Sequence, residues 1–83
     1  MDLVNLTETI IKKLVSDSEN VSVKEFETDE ENTIQIEVLI SADDMGRVIG
    51  KNGKIINSIR TIVQASSSLT EENRRVRINV DSY

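Results

Sequence analysis

Ile34, Ile36, Val38 and Ile40 point one way while Gln35 and Glu37 point the other, the cleanest run of period two in the chain. That alternation requires a strand with one apolar face, and a strand so patterned must be covered on that face. Its neighbours supply the rest of a small sheet. Val21, Val23 and Phe26 suggest an earlier strand whose alternation slips once, which leaves room for a bulge. Asp29, Glu30, Glu31 and Asn32 form a polar hairpin turn between the two. Val76, Ile78 and Val80 alternate with Arg75, Arg77 and Asn79 in a last strand.

The covering layer is read from helical spacing. Leu3, Leu6, Ile10 and Leu14 recur at three and four residues and predict a helix over 2–16. Ser41 and Asp44 have the spacing of an acidic capping box, opening a short helix that runs to Val48. Gly50 to Gly53 interrupt it. A long helix follows over 54–67, with Ile55, Ile56, Ile59, Ile62, Val63 and Ser66 inside an arc of roughly 100°. A serine-rich exit loop, from Ser66 through Asn73, leads to the last strand. The order is α-β-β-α-α-β. A strand, two helices and a strand make a right-handed crossover that leaves its two strands parallel, whereas the hairpin makes the first pair antiparallel. The expectation is an α+β fold of two layers, a three-stranded mixed sheet with three helices packed on one face. With 83 residues the chain is one domain, 1–83.

Two absences narrow the chemistry. Without Cys there is no thiolate nucleophile, disulfide or zinc finger; without His, the usual general base and the commonest transition-metal ligand are missing. Clustered carboxylates such as Asp43 and Asp44 are adjacent on a helix, do not converge and have no partner base. The chain is read as a binding protein and not an enzyme, with no catalytic residue, metal, cofactor or small-molecule substrate. No apolar run approaches the ~20 residues of a membrane span. The N-terminus lacks a basic segment followed by an apolar one, so the expected location is the cytoplasm.

The net charge of −5 conceals an uneven distribution. Residues 1–45 carry a balance of −9, residues 46–83 one of +4. From Gly46 to Thr70 there is no acid, while Arg47, Lys51, Lys54 and Arg60 supply positive charge. Such asymmetry points to a polyanion as partner of one surface. The acidic hairpin turn is expected to limit non-specific binding of the same polyanion.

That acid-free stretch contains Gly46-Arg47-Val48-Ile49-Gly50-Lys51-Asn52-Gly53-Lys54-Ile55-Ile56. Two glycines bracket a two-residue loop, so the backbone turns sharply and no Cβ blocks close approach. The loop feeds the N-terminus of the long helix, where free N–H groups and the positive dipole end favour an anion. Lys51 and Lys54 add charge, and Val48, Ile49 and Ile55 an apolar wall for bases or sugars. A P-loop is excluded because Gly46-x3-Gly50-Lys51 is one residue short and Asn52 replaces the metal-binding hydroxyl. A dinucleotide fingerprint is excluded because only two of its three glycines can be placed.

Between two helices in this element order, Val48-Ile49-Gly50-x-x-Gly53-x-x-Ile56 resembles the KH family in its bacterial type II arrangement. Asp43 to Lys54 and Ser58 to Val63 are most similar to the small stand-alone KhpA (YlqC) proteins. The resemblance covers nearly the whole chain. It implies a groove for about four single-stranded nucleotides, clamped at the backbone by Gly50 to Gly53. It also implies an RNA chaperone that forms a homodimer or a heterodimer with a second KH protein of the KhpB/Jag type, affecting cell elongation and wall homeostasis. Two departures stand out, Ser66-Ser67-Ser68 where relatives tend to carry Ala and the polar pair Asn57-Ser58.

The expected RNA-binding residues are therefore Arg47, Val48, Ile49, Gly50, Lys51, Asn52, Gly53, Lys54, Ile55 and Arg60, with Ile56, Ile62 and Val63 as candidates for a dimer interface. Each has a plainer reading. The glycines make an ordinary interhelical turn, Lys51, Lys54 and Arg60 line a solvated face, Arg47 pairs with Asp43 or Asp44, and Ile56 and Ile62 belong to the core. Arg75 and Arg77 belong to the outer sheet face. A protein-interaction module with little RNA affinity is the alternative to an RNA-binding one.

Overall fold

The computed structural model describes residues 2–70 and 73–83. Its helices are α1 (Leu3–Leu14), α2 (Met45–Ile49) and α3 (Lys54–Ser68), and its strands are β1 (Ser22–Glu27), β2 (Thr33–Ile40) and β3 (Arg75–Ser82). The sheet order is β1-β2-β3, with β1 antiparallel and β3 parallel to β2. This is the expected α+β architecture.

β2 owes its central place to its alternation. Ile36, Val38 and Ile40 are fully buried and meet Ile78 of β3, Ile11 of α1, Val48 of α2, and Ile56, Ile59 and Val63 of α3. All three helices thus share the one apolar face, and side chains such as Lys24 and Arg77 stand on the other. In β1 the bulge for which the slipped alternation left room does not form. Pairing runs unbroken from Ser22 opposite Leu39 to Glu27 opposite Ile34. Strict alternation then puts Val23 on the core side and Phe26 on the open face, where it is 51% exposed.

α1 begins at an Asp2 cap whose carboxylate accepts from the Asn5 amide at 3.1 Å. It ends at Leu14, two residues before the expected Ser16, because Val15 is already extended (ψ 158°). The reason lies at Asp44. The expected capping box does not form, since Ser41 makes no side-chain cap and residues Ala42–Asp44 form a 3-10 turn. Asp44 instead reaches across the helical layer. Its Oδ1 accepts from the Ser16 amide (3.0 Å) and hydroxyl (2.8 Å), and its Oδ2 from the Asp17 amide (3.1 Å). The exit of α1 is thereby tied to the entry of α2.

In α3 the apolar arc is wider than the core it faces. Ile56, Ile59, Val63 and Ser67 are buried, whereas Ile55 and Ile62 are 36% and 49% exposed and Ser66 is half-buried. The helix is rotated so that its 56–59–63–67 edge meets the sheet. Of the expected exit loop, Glu71 and Glu72 lie outside the described residues.

Candidate nucleic-acid interface

The turn between α2 and α3 uses conformations that side chains resist. Gly50 has φ 76° and ψ 175°, a region open in practice only to glycine. Asn52 (φ 56°, ψ 27°) and Gly53 (φ 74°, ψ 14°) are left-handed, which Asn tolerates better than other non-glycine residues. The turn is closed by the Gly50 amide donating to the Gly46 carbonyl (3.0 Å) and the Gly53 amide to the Gly50 carbonyl (3.2 Å). The two glycines are not equivalent in packing. A Cβ on Gly50 would lie 2.6 Å from Ile55 Cγ1, whereas one on Gly53 would meet nothing closer than 3.6 Å.

Lys51, Asn52 and Lys54 are exposed around this turn, and no side chain caps the N-terminus of α3. The N-terminus of a fifteen-residue helix, with its positive dipole end, therefore opens to solvent beside two exposed lysines. Its chemistry suits a backbone phosphate.

From that point a polar file runs down α3. Gly53, Asn57, Arg60 and Gln64 succeed one another at spacings of four, three and four, which puts them on one face for roughly 16 Å of helix. The file lies along the free edge of β3. Arg60 donates to the Ile78 carbonyl from Nε (3.4 Å) and Nη2 (3.1 Å), and from Nη1 to Asn57 Oδ1 (3.0 Å). Gln64 accepts from the Val76 amide (2.9 Å) and donates to the Arg74 carbonyl (3.0 Å). Ser67 adds a hydroxyl donor to that same carbonyl at 2.6 Å. Side chains of α3 thus occupy the positions a fourth strand would take.

Other expected residues fall differently. Val48 is fully buried in the core and presents nothing to a groove, because the short turn of α2 points it at the sheet. Ile49 is half-buried, and Ile55 stands beside the turn as its apolar wall. Arg47 reaches Asp44 at 3.5 Å with most of its side chain in solvent. Ile56 and Val63 are core residues, so of the three interface candidates Ile62 alone is presented to solvent. Leu69, seven residues on, is 85% exposed and prolongs the ridge.

Asn57, Gln64 and Ser67 were not among the expected RNA-binding residues. The signal that could have found them is the file's spacing from Gly53. The acidic hairpin closes its far end, where Asn32 Nδ2 donates to the Asn73 carbonyl (3.0 Å) and the Asn32 carbonyl accepts from the Arg75 amide (2.9 Å). Glu30 is paired with Arg77 at 2.6 Å. Among the described residues no helix is long and apolar enough to cross a membrane.

The chain as a whole is similar to known proteins. A family model described as KhpA/KhpB, KH domain, matches residues 4–80. RNA-binding protein KhpA of Clostridium acetobutylicum is 40% identical over 75 residues, 90% of this chain and 95% of the relative. The protein of the same name from Listeria monocytogenes is 43% identical over 70 residues, 84% of this chain and 90% of that one. No solved structure matched. With the family model spanning nearly all of a chain whose turn, helices and sheet have the KH arrangement, this protein belongs to the KhpA/KhpB KH-domain family.

Proposed function

We propose that this chain is a single KH domain that binds single-stranded RNA, gripping the backbone at Gly50 to Gly53 and laying the following nucleotides along α3. The observation that carries the reading is the turn itself. An uncapped helix N-terminus, a glycine-only backbone and the exposed Lys51 and Lys54 meet within a stretch free of acidic residues. The relatives' name, RNA-binding protein, supports the same reading.

Binding is modest and salt-sensitive. Phe26 and Tyr83, the chain's aromatic residues, are remote in sequence from the turn, so base stacking of ~1–3 kcal/mol per base is not its source. Two or three phosphate contacts give a log–log salt slope of roughly −1.4 to −2.1. In the cytoplasm the protein acts as an RNA chaperone, in regulation bearing on cell elongation and wall homeostasis. The test is the double variant Lys51→Asp, Asn52→Asp. It is expected to lose RNA crosslinking while keeping its melting temperature, and unchanged RNA binding overturns the proposal.

A protein-interaction reading is favoured by the exposed Ile62 and Leu69, which share a ridge on the side of α3 away from the polar file. It is compatible with RNA binding. The partner is a second copy or a KH protein of the KhpB/Jag type, and a dimer raises RNA affinity through effective concentration.

A further inference from the structure

Lys51, Asn52, Gly53 and Lys54 make a complete turn of their own inside the interhelical link. The Lys54 amide donates to the Lys51 carbonyl, and the two central residues have φ 56°, ψ 27° and φ 74°, ψ 14°. Successive positive φ values of this size define a type I′ turn. Asn52 is the one asparagine of the chain that is followed by glycine. Its side chain is exposed and, among the described residues, has no hydrogen-bond partner.

An asparagine so placed is open to attack by the next backbone nitrogen. The Gly53 amide gives up its proton to solvent, and its nitrogen bonds to Asn52 Cγ to close a five-membered imide. The Cγ–Nδ2 bond breaks, and Nδ2 takes a proton and leaves as ammonia. One water then adds to either ring carbonyl and breaks that carbon's bond to the ring nitrogen. Opening at Cγ restores the chain with an aspartyl side chain. Opening at the main-chain carbonyl leaves an isoaspartyl link that runs through Cβ and is one atom longer. Both products carry a carboxylate.

The turn favours this step in two ways. Ring closure brings the Gly53 nitrogen against Cγ, which needs an Asn52 ψ of about −120°, the value at the first central residue of a type II′ turn. Flipping the Asn52–Gly53 peptide plane converts I′ to II′ while φ of Asn52 stays positive and the Lys54 to Lys51 closure is kept. The flip gives up the 3.2 Å bond from the Gly53 amide to the Gly50 carbonyl, and glycine accepts the change of φ sign. Lys51, Lys54 and the positive end of α3 also favour the ionised amide and the oxyanion that forms on Cγ. Asn57, followed by serine, is held in the body of α3 with Oδ1 accepting from Arg60 at 3.0 Å.

We propose that Asn52 is a self-modification site, converted in the folded protein to aspartyl and isoaspartyl forms, and that conversion retires the backbone clamp. The consequence for RNA rests on the RNA-binding reading above. The new carboxylate stands beside Lys51 and Lys54 where that reading puts a phosphate, and the isoaspartyl form adds a backbone atom between Gly50 and α3.

The experiment holds the purified chain at neutral pH beside a free peptide of residues 49–55 and follows both by peptide mass spectrometry, with enzymatic methyl labelling of isoaspartyl groups. In the protein, the Asn52 segment is expected to gain the mass of oxygen over NH and to take the label before any other asparagine. Asn52→Gln is expected to take no label there. Converted protein, separated by its added charge, is expected to lose the RNA crosslinking that the unconverted fraction keeps. An Asn52 that stays intact in the protein after the free peptide has converted, earlier labelling at another asparagine, or equal RNA binding by the two fractions overturns the proposal. Fresh protein that binds no RNA overturns the RNA-binding reading and the loss of the clamp with it, while mass and label alone decide the modification.

Discussion

Asp44 Oδ1 accepts from the Ser16 amide at 3.0 Å across 28 residues of sequence, joining the end of the first helix to the start of the helix that carries the glycine turn. The carboxylate is 1% exposed, and it takes two more donors, the Ser16 hydroxyl and the Asp17 amide. Its pKa is held below the ordinary aspartate value, by the Ser16 amide most, with the Ser16 hydroxyl, the Asp17 amide and Arg47 acting the same way and burial opposing.

The pH dependence follows from that direction. A carboxyl whose pKa is lowered by folding contributes stability that is complete above its unfolded pKa of about 3.9 and lost as the pH falls through the lower folded value. Asp44→Asn is expected to flatten the acid limb of the stability curve. Urea unfolding at a series of pH values below 5 checks this, and equal acid limbs in wild type and Asp44→Asn would refute it.

The two glycines are expected to respond unequally. Gly53→Ala makes only ordinary van der Waals contact and carries the left-handed penalty, about 1–2 kcal/mol. Gly50→Ala combines a glycine-only conformation with a Cβ placed 2.6 Å from Ile55 Cγ1, and is expected to cost more than Gly53→Ala. Equilibrium denaturation ranks them; the opposite ranking would mean that Ile55 yields without cost.

Ile59 and Ile62 lie three residues apart on α3 and are expected to behave as different kinds of position. Ile59→Ala should lose about 2–5 kcal/mol of stability as a core truncation. Ile62→Glu should unfold at the wild-type urea concentration at a protein concentration where the chain is monomeric. In light scattering at high concentration, the same variant is expected to show a lower mass than wild type. An unchanged mass counts against Ile62 as an association surface.

Charge changes near the ends of the file should separate by salt dependence. Lys54→Gln is expected to reduce the magnitude of the log–log salt slope of RNA binding by about 0.7, the loss of one single-strand phosphate contact. Arg75→Gln, on the outer sheet face, should leave the slope alone. Asp29→Asn with Glu31→Gln should raise affinity for mixed-sequence RNA, whereas Glu30 is already neutralised by Arg77. No change in that double variant removes the hairpin from any role in RNA discrimination.

Much of the fold was legible because its signals are local. The alternation of Ile34 to Ile40, the helical spacing of Leu3 to Leu14 and the two glycines each declare an element without reference to any other. What failed was long-range or a matter of phase. Ser41 and Asp44 have capping-box spacing, but a buried carboxylate takes the donors that satisfy it best, and those belong to a segment 28 residues earlier. The slip between Val23 and Phe26 suggested a bulge, yet an open sheet face accepts a phenylalanine. Ile55 to Ser66 spread over more of the helix than one sheet could cover, so composition alone did not say which residues face in. The turn was legible to the residue, while the file beyond it depends on β3, whose edge no local pattern places beside Arg60.

The side chains laid along that edge have a consequence for the life of the protein at high concentration. A three-stranded sheet has two unpaired margins, and an eight-residue parallel strand such as β3 offers the longer template for another chain to copy. Arg60, Gln64 and Ser67 already hold the backbone groups of Arg74, Val76 and Ile78 that an incoming strand would seek. Between Arg74 and Ile78 an incoming strand would therefore have to displace hydrogen bonds supplied by the chain's own helix before it could pair on this side.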